Sequence, residues 1–470
     1  MIKHYDGVLG TFDYDDTMFE VVEDSDGAEY FGAPEYLHYT GNGSSIELPD
    51  GCVNTNRMFY DCQLPKDLNL GEKFDTSKVE NMHGMFGYCK LSEGFSLGEK
   101  FDTSNVTDME DMFCYCKLPE DFSLGEKFNT SSVTCMNGMF YHCHLPEDFT
   151  LGEKFDTSKV KSMSGMFSHC ELSENFSLGE KFDTSSVERM NCMFIDCEMP
   201  EGFTLGDKFD TSSVENMHLM FRGCRMPIGF TLGDKFDTRN VKDMSGMFYH
   251  CLLPEDFTLG EKFDTSNVTT MWHMFDKCRM PEGFNLGDRF DTSQVKDMSH
   301  MFCDCKMPKG FILGDKFNTS KVEDMNSMFF KCKMSEGFTL GEKFDTSNVE
   351  DMSGMFDKCR MPEGFNLGDR FDTGKVTSMG IMFCDCMLPK GFTLGDKFDT
   401  SNVGAAFGMF MRCKLPTGFS FGSKFDTSKA EDVRSMFCDC ELPGGFVPND
   451  SLDLSKFKEL ARFLDGVRCR

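Results

Sequence analysis

One tryptophan stands in 470 residues, and the 10 tyrosines and 10 histidines are sparse beside 51 phenylalanines. Basic residues are also short: 48 lysines and arginines face 78 acidic residues, a formal charge of −30. That balance excludes nucleic acid and anionic membrane surfaces as partners, because both would repel the chain. Nowhere do 18 apolar residues run together, so no membrane insertion is expected. The opening MIKHYDGVLGTFDYDD has no apolar h-region and the closing FLDGVRCR no lipidation signal, so the expected location is cytoplasmic. No Ser–His–Asp or paired-carboxylate arrangement stands apart from the general pattern. No enzyme, and no cofactor, is expected.

What the chain has is one sentence written many times. GEKFDTSNVTDMEDMFCYCKLPEDFSL begins at Gly98, and a close copy begins 27 residues later at Gly125. The Phe of the FDTS motif recurs every 27 residues from Phe74 to Phe425, fourteen times without an insertion. The Cys closing Met-Phe-x-x-Cys recurs from Cys62 to Cys440, fifteen times. So strict a period means stacked coils, since one inserted residue would displace a whole ladder of contacts. The expected fold is a repeat solenoid of about fifteen 27-residue coils over residues 52–446. A β-rich cap is expected over 1–51, with hairpin strands, and a helical cap over 447–470, where Phe457, Leu460, Leu464 and Val467 form an amphipathic stripe.

Within a coil, the alternation of Phe122 and Leu124 reads as a short parallel strand, entered by a turn at Gly, Asp or Asn. Val106, Met109, Met112 and Phe113 suit a short helical or 3-10 segment. Ser77 with Glu80, and Ser212 with Glu215, give it a capping-box start. The Met, Phe and Cys columns read as core, so the fifteen ladder cysteines are expected as buried free thiols, and 23 cysteines with no export signal point to a reducing compartment. The Cys-x-Cys pairs such as Cys114 and Cys116 are far apart on a solenoid and do not converge as zinc ligands, so no metal is expected. The Asp of FDTS, replaced by Asn129 and Asn318, suits a turn in which the side chain accepts a backbone N–H.

A partner would bind where copies differ. The most varied columns lie between Met-Phe and Cys and after the earlier Met. They carry Tyr88, Tyr115, Tyr141, His142, His169, Tyr249, His250 and Trp272, and aromatic residues on an exposed face are the usual anchors of a protein interface. The concave face of the strands, through the x of Phe-x-Leu, is the alternative. His142 with His169 and His273 with His300 pair across adjacent coils and read as solvated surface. The expected partner is a protein of unspecified identity, and the chain a monomer or weak oligomer.

With FDTSNVTDM followed by MF and a Cys three residues on, the chain resembles the BspA-like leucine-rich-repeat surface proteins, in the branch with the FDTSNVTxMxxMFxxC repeat known from mycoplasmas. The spacer LPEDFTLGEKF is longer than that family's usual one. The resemblance implies a leucine-rich-repeat-like right-handed superhelix and a non-enzymatic role in adhesion or protein binding, at the cell surface if an export signal has been trimmed. The alternative is an intracellular interaction scaffold. A third reading, from the Thr and Asp columns, is an ice-binding or calcium-binding solenoid.

Overall fold

The computed structural model describes residues 1–7, 10–23, 35–41, 46–64, 68 and 70–443. The chain divides into two compact units, Met1–Asp237 and Thr238–Arg470. The segment 447–470, with its amphipathic stripe, lies outside the described residues.

The first unit begins with two antiparallel pairs. Strand β1 (Ile2–Gly7) pairs with β2 (Gly10–Asp15), and β3 (Phe19–Glu23) with β4 (Glu35–Tyr39). Phe12, Tyr14, Phe19, Leu37 and Tyr39 turn inward, as alternation along half-buried strands requires. Tyr39 donates its backbone N–H to the carbonyl of Met58 at 2.8 Å, and its ring lies 5.6 Å from that of Phe59. Phe59 begins a ladder of rings through Phe86, Phe113, Phe140, Phe167, Phe194 and Phe221, spaced 5.2 to 5.8 Å.

Each repeat in this unit lies on the next in register. Parallel bridges join Asn54, Asn81, Asp108, Cys135, Ser162, Arg189 and Asn216 in one row and Lys90 through Arg225 in another. The second unit is built alike, with bridges from Asp243 to Asp432 and a ring ladder from Phe248 to Phe437. Ladder phenylalanines are almost wholly buried, and burying each contributes about 1.5–3 kcal/mol. Because that burial is supplied by the neighbouring repeats, stability is shared along each stack.

Local structure departs from expectation in two ways. Among the described residues the repeats contain no helix and no extended strand, only bridges and turns. Phe122 and Leu124 are buried around an exposed Ser123, so the alternation is real, but no ladder forms there. Left-handed glycines at the equivalent Gly94 and Gly98 enclose only three residues, too few to pair along their length. In place of the expected helix, donors alternate. The N–H groups of Met82, Gly84, Phe86 and Tyr88 go to the carbonyls of Asp108, Glu110, Met112 and Cys114 of the next repeat, while those of Met85, Gly87 and Cys89 close turns onto Met82, Gly84 and Phe86. Half the donors a helix needs are thus committed to the neighbour. The capping box fails with it, and the side chain that takes the N–H of Ser77 is that of Asp75, at 2.9 Å.

Candidate partner-binding face

Twenty-three described residues other than glycine have positive φ, and all fall in two of the 27 repeat positions. One is the position of Asp111 and His273. The other is the position of Tyr88, Tyr115, His142, His169 and His250, with φ between 52° and 61°. The left-handed region costs an L-residue roughly 1–2 kcal/mol, and glycine, which avoids that cost, occupies the second position only at Gly223. Side chains kept at strained positions point to a use for them.

In the first unit those side chains form a second ladder, outside the core. Tyr88 stacks on Tyr115 at 4.5 Å, Tyr115 on His142 at 4.5 Å, and His142 on His169 at 4.2 Å. Tyr60 lies 5.2 Å from Tyr88 at one end, and Tyr141 lies edge-on to Tyr115 at 5.3 Å. Tyr88 is 45% exposed and Tyr115 41%. The five sequence-predicted residues of this unit are therefore one continuous surface.

Beside the ladder runs a groove of about 400 Å³. Tyr60, Tyr88, Tyr115 and Tyr141 line it, together with His83, Glu110 and Asp111. Burial, and then the neighbouring Glu110 and Asp108 charges, push the Asp111 carboxyl up to about 7. Glu110 is raised by burial and by Asp108. His142 is lowered by burial and by His169. Room for these groups comes from glycine: a Cβ on Gly87 would meet the Tyr60 ring at 2.9 Å, and one on Gly138 would collide with the Asp111 carboxylate.

In the second unit the predicted residues gather around His273, which lies 5.7 Å from Tyr249 and 5.1 Å from Trp272 and stacks on His300 at 4.3 Å. His250 lies 6.2 Å from Tyr249. Here the aromatic rings meet cations. Lys277 Nζ stands 5.3 Å from the Tyr249 ring and donates to its hydroxyl at 3.2 Å, and Lys331 and Lys358 stand 5.2 and 5.4 Å from Phe330.

The repeated columns have structural work. Cys116 Sγ donates to the carbonyl of Phe86 at 2.7 Å, and Cys89 Sγ likewise to Phe59 at 2.8 Å; among the described residues no cysteines are bridged. The FDTS acids close turns, with Ser104 N–H donating to Asp102 at 2.9 Å and Ser131 N–H to Asn129 at 3.0 Å. Thr76 is fully buried and donates to the Asp102 carbonyl at 2.8 Å. The Thr column therefore offers no exposed hydroxyl ladder to ice, and the FDTS side chains already accept backbone N–H groups.

Among the described residues two groups have donors close enough to share a metal, His83 with Asp108 and Glu110, and Asp357 with Cys384 and Asp385, each within 4.8 Å. In the second, Arg412 already occupies both Asp385 oxygens at 2.6 Å. In the first, Asp108 accepts the Glu110 N–H at 2.9 Å and the Asn81 amide at 3.3 Å.

Sequence reasoning missed Tyr60, Glu110 and Asp111. A signal was present: of the fifteen residue pairs at this repeat position, Glu110-Asp111 is the only one with two acids.

The chain belongs to the family described as mycoplasma protein of unknown function, DUF285, which matches residues 53–150, 122–230, 147–252, 228–338, 307–418 and 335–443 as tandem repeats. No curated protein and no solved structure matches it.

Proposed function

We propose, with membership of this mycoplasma repeat family as the premise, that the chain is a non-enzymatic protein-binding or adhesion scaffold. Its repeats are wound as a leucine-rich-repeat-like solenoid of the BspA type. The observation that carries this reading is the unbroken ladder from Tyr88 to His169, its stacked rings held on backbone that glycine would occupy at lower cost and met at one end by Tyr60. Rigid, half-exposed aromatic rings supply interface area with little entropy to lose. The concave-face alternative is weaker, because the x of Phe-x-Leu is a monotonous Ser, Thr or Asn apart from Ile312.

The test is site-specific photo-crosslinking in native cells, with p-benzoylphenylalanine in place of Tyr88 or Tyr115 and, as control, in place of the exposed Glu126. A discrete adduct from the tyrosine positions and none from Glu126 is expected. Equal labelling from all three positions, or none, overturns the reading.

An intracellular scaffold is the second reading, favoured by the buried, unbridged cysteines. Protease treatment of intact cells separates the two: loss of the chain supports adhesion at the surface, and protection until lysis supports the interior.

A further inference from the structure

The groove beside the tyrosine ladder has a chemistry of its own, and the second unit displays how that chemistry is satisfied. There, an aromatic residue directly after the core Phe is met by a lysine from a strained position: Tyr249 by Lys277, and Phe330 by Lys331 and Lys358. A cation within about 6 Å of a ring face is attracted by the ring's negative quadrupole. In the first unit the corresponding strained positions after Tyr60 carry Asp61, Tyr88, Tyr115, His142, His169 and Asp196, none of them lysine. Rings accumulate, and at one end Arg57 stands 5.1 Å from the Tyr60 ring.

Glu110 and Asp111 line the groove together with the rings, and the Asp108 charge acts on both. The guanidinium groups that act on these acids are Arg57 on Asp111 and Arg189 on Glu110, and His83, whose imidazole burial holds below its ordinary range, lies within 4.8 Å of Asp108 and Glu110. Three carboxyl groups, two of them lining a groove walled by four tyrosines, therefore meet only two guanidinium groups and an imidazole whose protonated form burial disfavours. An incoming ammonium or guanidinium group would restore the balance and lie against ring faces. A carboxylate would be repelled, and an apolar side chain would leave the acids desolvated and unmatched.

We propose that the groove lined by Tyr60, Tyr88, Tyr115 and Tyr141 and by Glu110 and Asp111 receives a lysine or arginine side chain from a basic segment of a partner protein. This rests on the reading of the chain as a protein-binding scaffold and names the partner's chemistry. The site is single in the repeat array because the Glu110-Asp111 pair occurs once. Gly138 and Gly87 keep it open, leaving room for the Asp111 carboxylate and the Tyr60 ring.

The test is calorimetric titration of the full chain with three ten-residue glycine-serine peptides carrying two central lysines, two glutamates or two norleucines. The lysine peptide is expected to bind, and the other two to bind at least tenfold more weakly. Glu110→Gln with Asp111→Asn preserves side-chain volume and is expected to weaken the lysine peptide at least tenfold. Glu99→Gln with Glu126→Gln removes the same charge from exposed positions and is expected to leave its affinity within twofold. Equal weakening by both double variants would mean general attraction to a chain of charge −30 and overturns the proposal. So does norleucine binding as well as lysine, or no lysine binding at all. Crosslinking at Tyr115 distinguishes the failures: an adduct there with no lysine preference sinks the cation site and leaves protein binding standing, while no adduct removes both.

Discussion

The ring of Tyr115 stacks on that of Tyr88 at 4.5 Å, while both residues hold left-handed backbone, with φ of 54° and 61°. Stacking contributes about 0.5–1.5 kcal/mol, and the backbone costs about 1–2. The two nearly cancel, so the tyrosines are close to neutral for folding. Tyr115→Gly is expected to change unfolding free energy by less than about 1 kcal/mol and to abolish partner capture. Tyr115→Val, β-branched in the same conformation, is expected to destabilise by about 1–2 kcal/mol. Chemical denaturation and the crosslinking assay measure the two quantities separately.

Glycine replacements separate backbone strain from groove geometry. Gly152 has φ of 80° and open space where a Cβ would sit, so Gly152→Ala is expected to cost only the backbone term, about 1 kcal/mol. Gly138, at φ of 56°, would in addition drive its methyl into the Asp111 carboxylate. Gly138→Ala is expected to cost about 1 kcal/mol more than Gly152→Ala and to weaken lysine-peptide binding, which Gly152→Ala leaves unchanged. Equal costs in denaturation would refute the crowding argument.

The acids of the groove make stability depend on pH. Asp111 has its folded pKa raised from 3.8 to about 7, by burial first and then by Glu110 and Asp108, with Arg57 opposing. The folded state therefore holds the proton more tightly, and stability falls as pH rises from about 4 to 7. Asp111→Asn removes this loss. It is expected to raise stability by about 2–4 kcal/mol at pH 8 and by nothing at pH 4, as read from denaturant midpoints at both values. Basic-peptide binding should run the other way, strengthening between pH 6 and 8 as the carboxylate ionises.

The cysteine column predicts a pattern of reactivity. Cys89 and Cys116 are buried and donate to backbone carbonyls, and burial raises both thiols far above their ordinary range. Among the described cysteines, Cys62, Cys135, Cys192, Cys438 and Cys440 are the ones partly open to solvent. Brief iodoacetamide treatment of the native chain, followed by peptide mass spectrometry, is expected to label these before any fully buried thiol. Early labelling of Cys116 would contradict the packing. Cys116→Ala, which removes a buried donor and leaves a small void, is expected to cost about 1–2 kcal/mol.

How much was legible can be judged from particular residues. The inward columns were readable, because Met112, Phe113 and Cys116 recur without exception, Met109 recurs in twelve of fifteen copies, and all four are buried. The turn chemistry of Asp102 and Asn129 was readable too, because an Asx side chain bonds its own backbone two residues on. The helix was misread because the spacing of Val106, Met109, Met112 and Phe113 fits a helical face, while nothing local records where an N–H will go. Asp111 is left-handed and donates to the carbonyl of Asn137, 26 residues away. The aromatic candidates were readable as variable columns, but their union into one ladder in the first unit was not, since it depends on repeats being stacked in register.

The sequence by itself determined the 27-residue period and the division into inward and outward positions, because burial of apolar side chains acts column by column and repeats its demands in each copy. Only the tertiary structure decided the backbone path within a repeat and the place of the groove. Both depend on partners 26 or 27 residues distant: a donor leaves its helix only when a neighbouring carbonyl is there to receive it, and Tyr60 reaches its place only because Gly87, one repeat on, has no side chain to fill it.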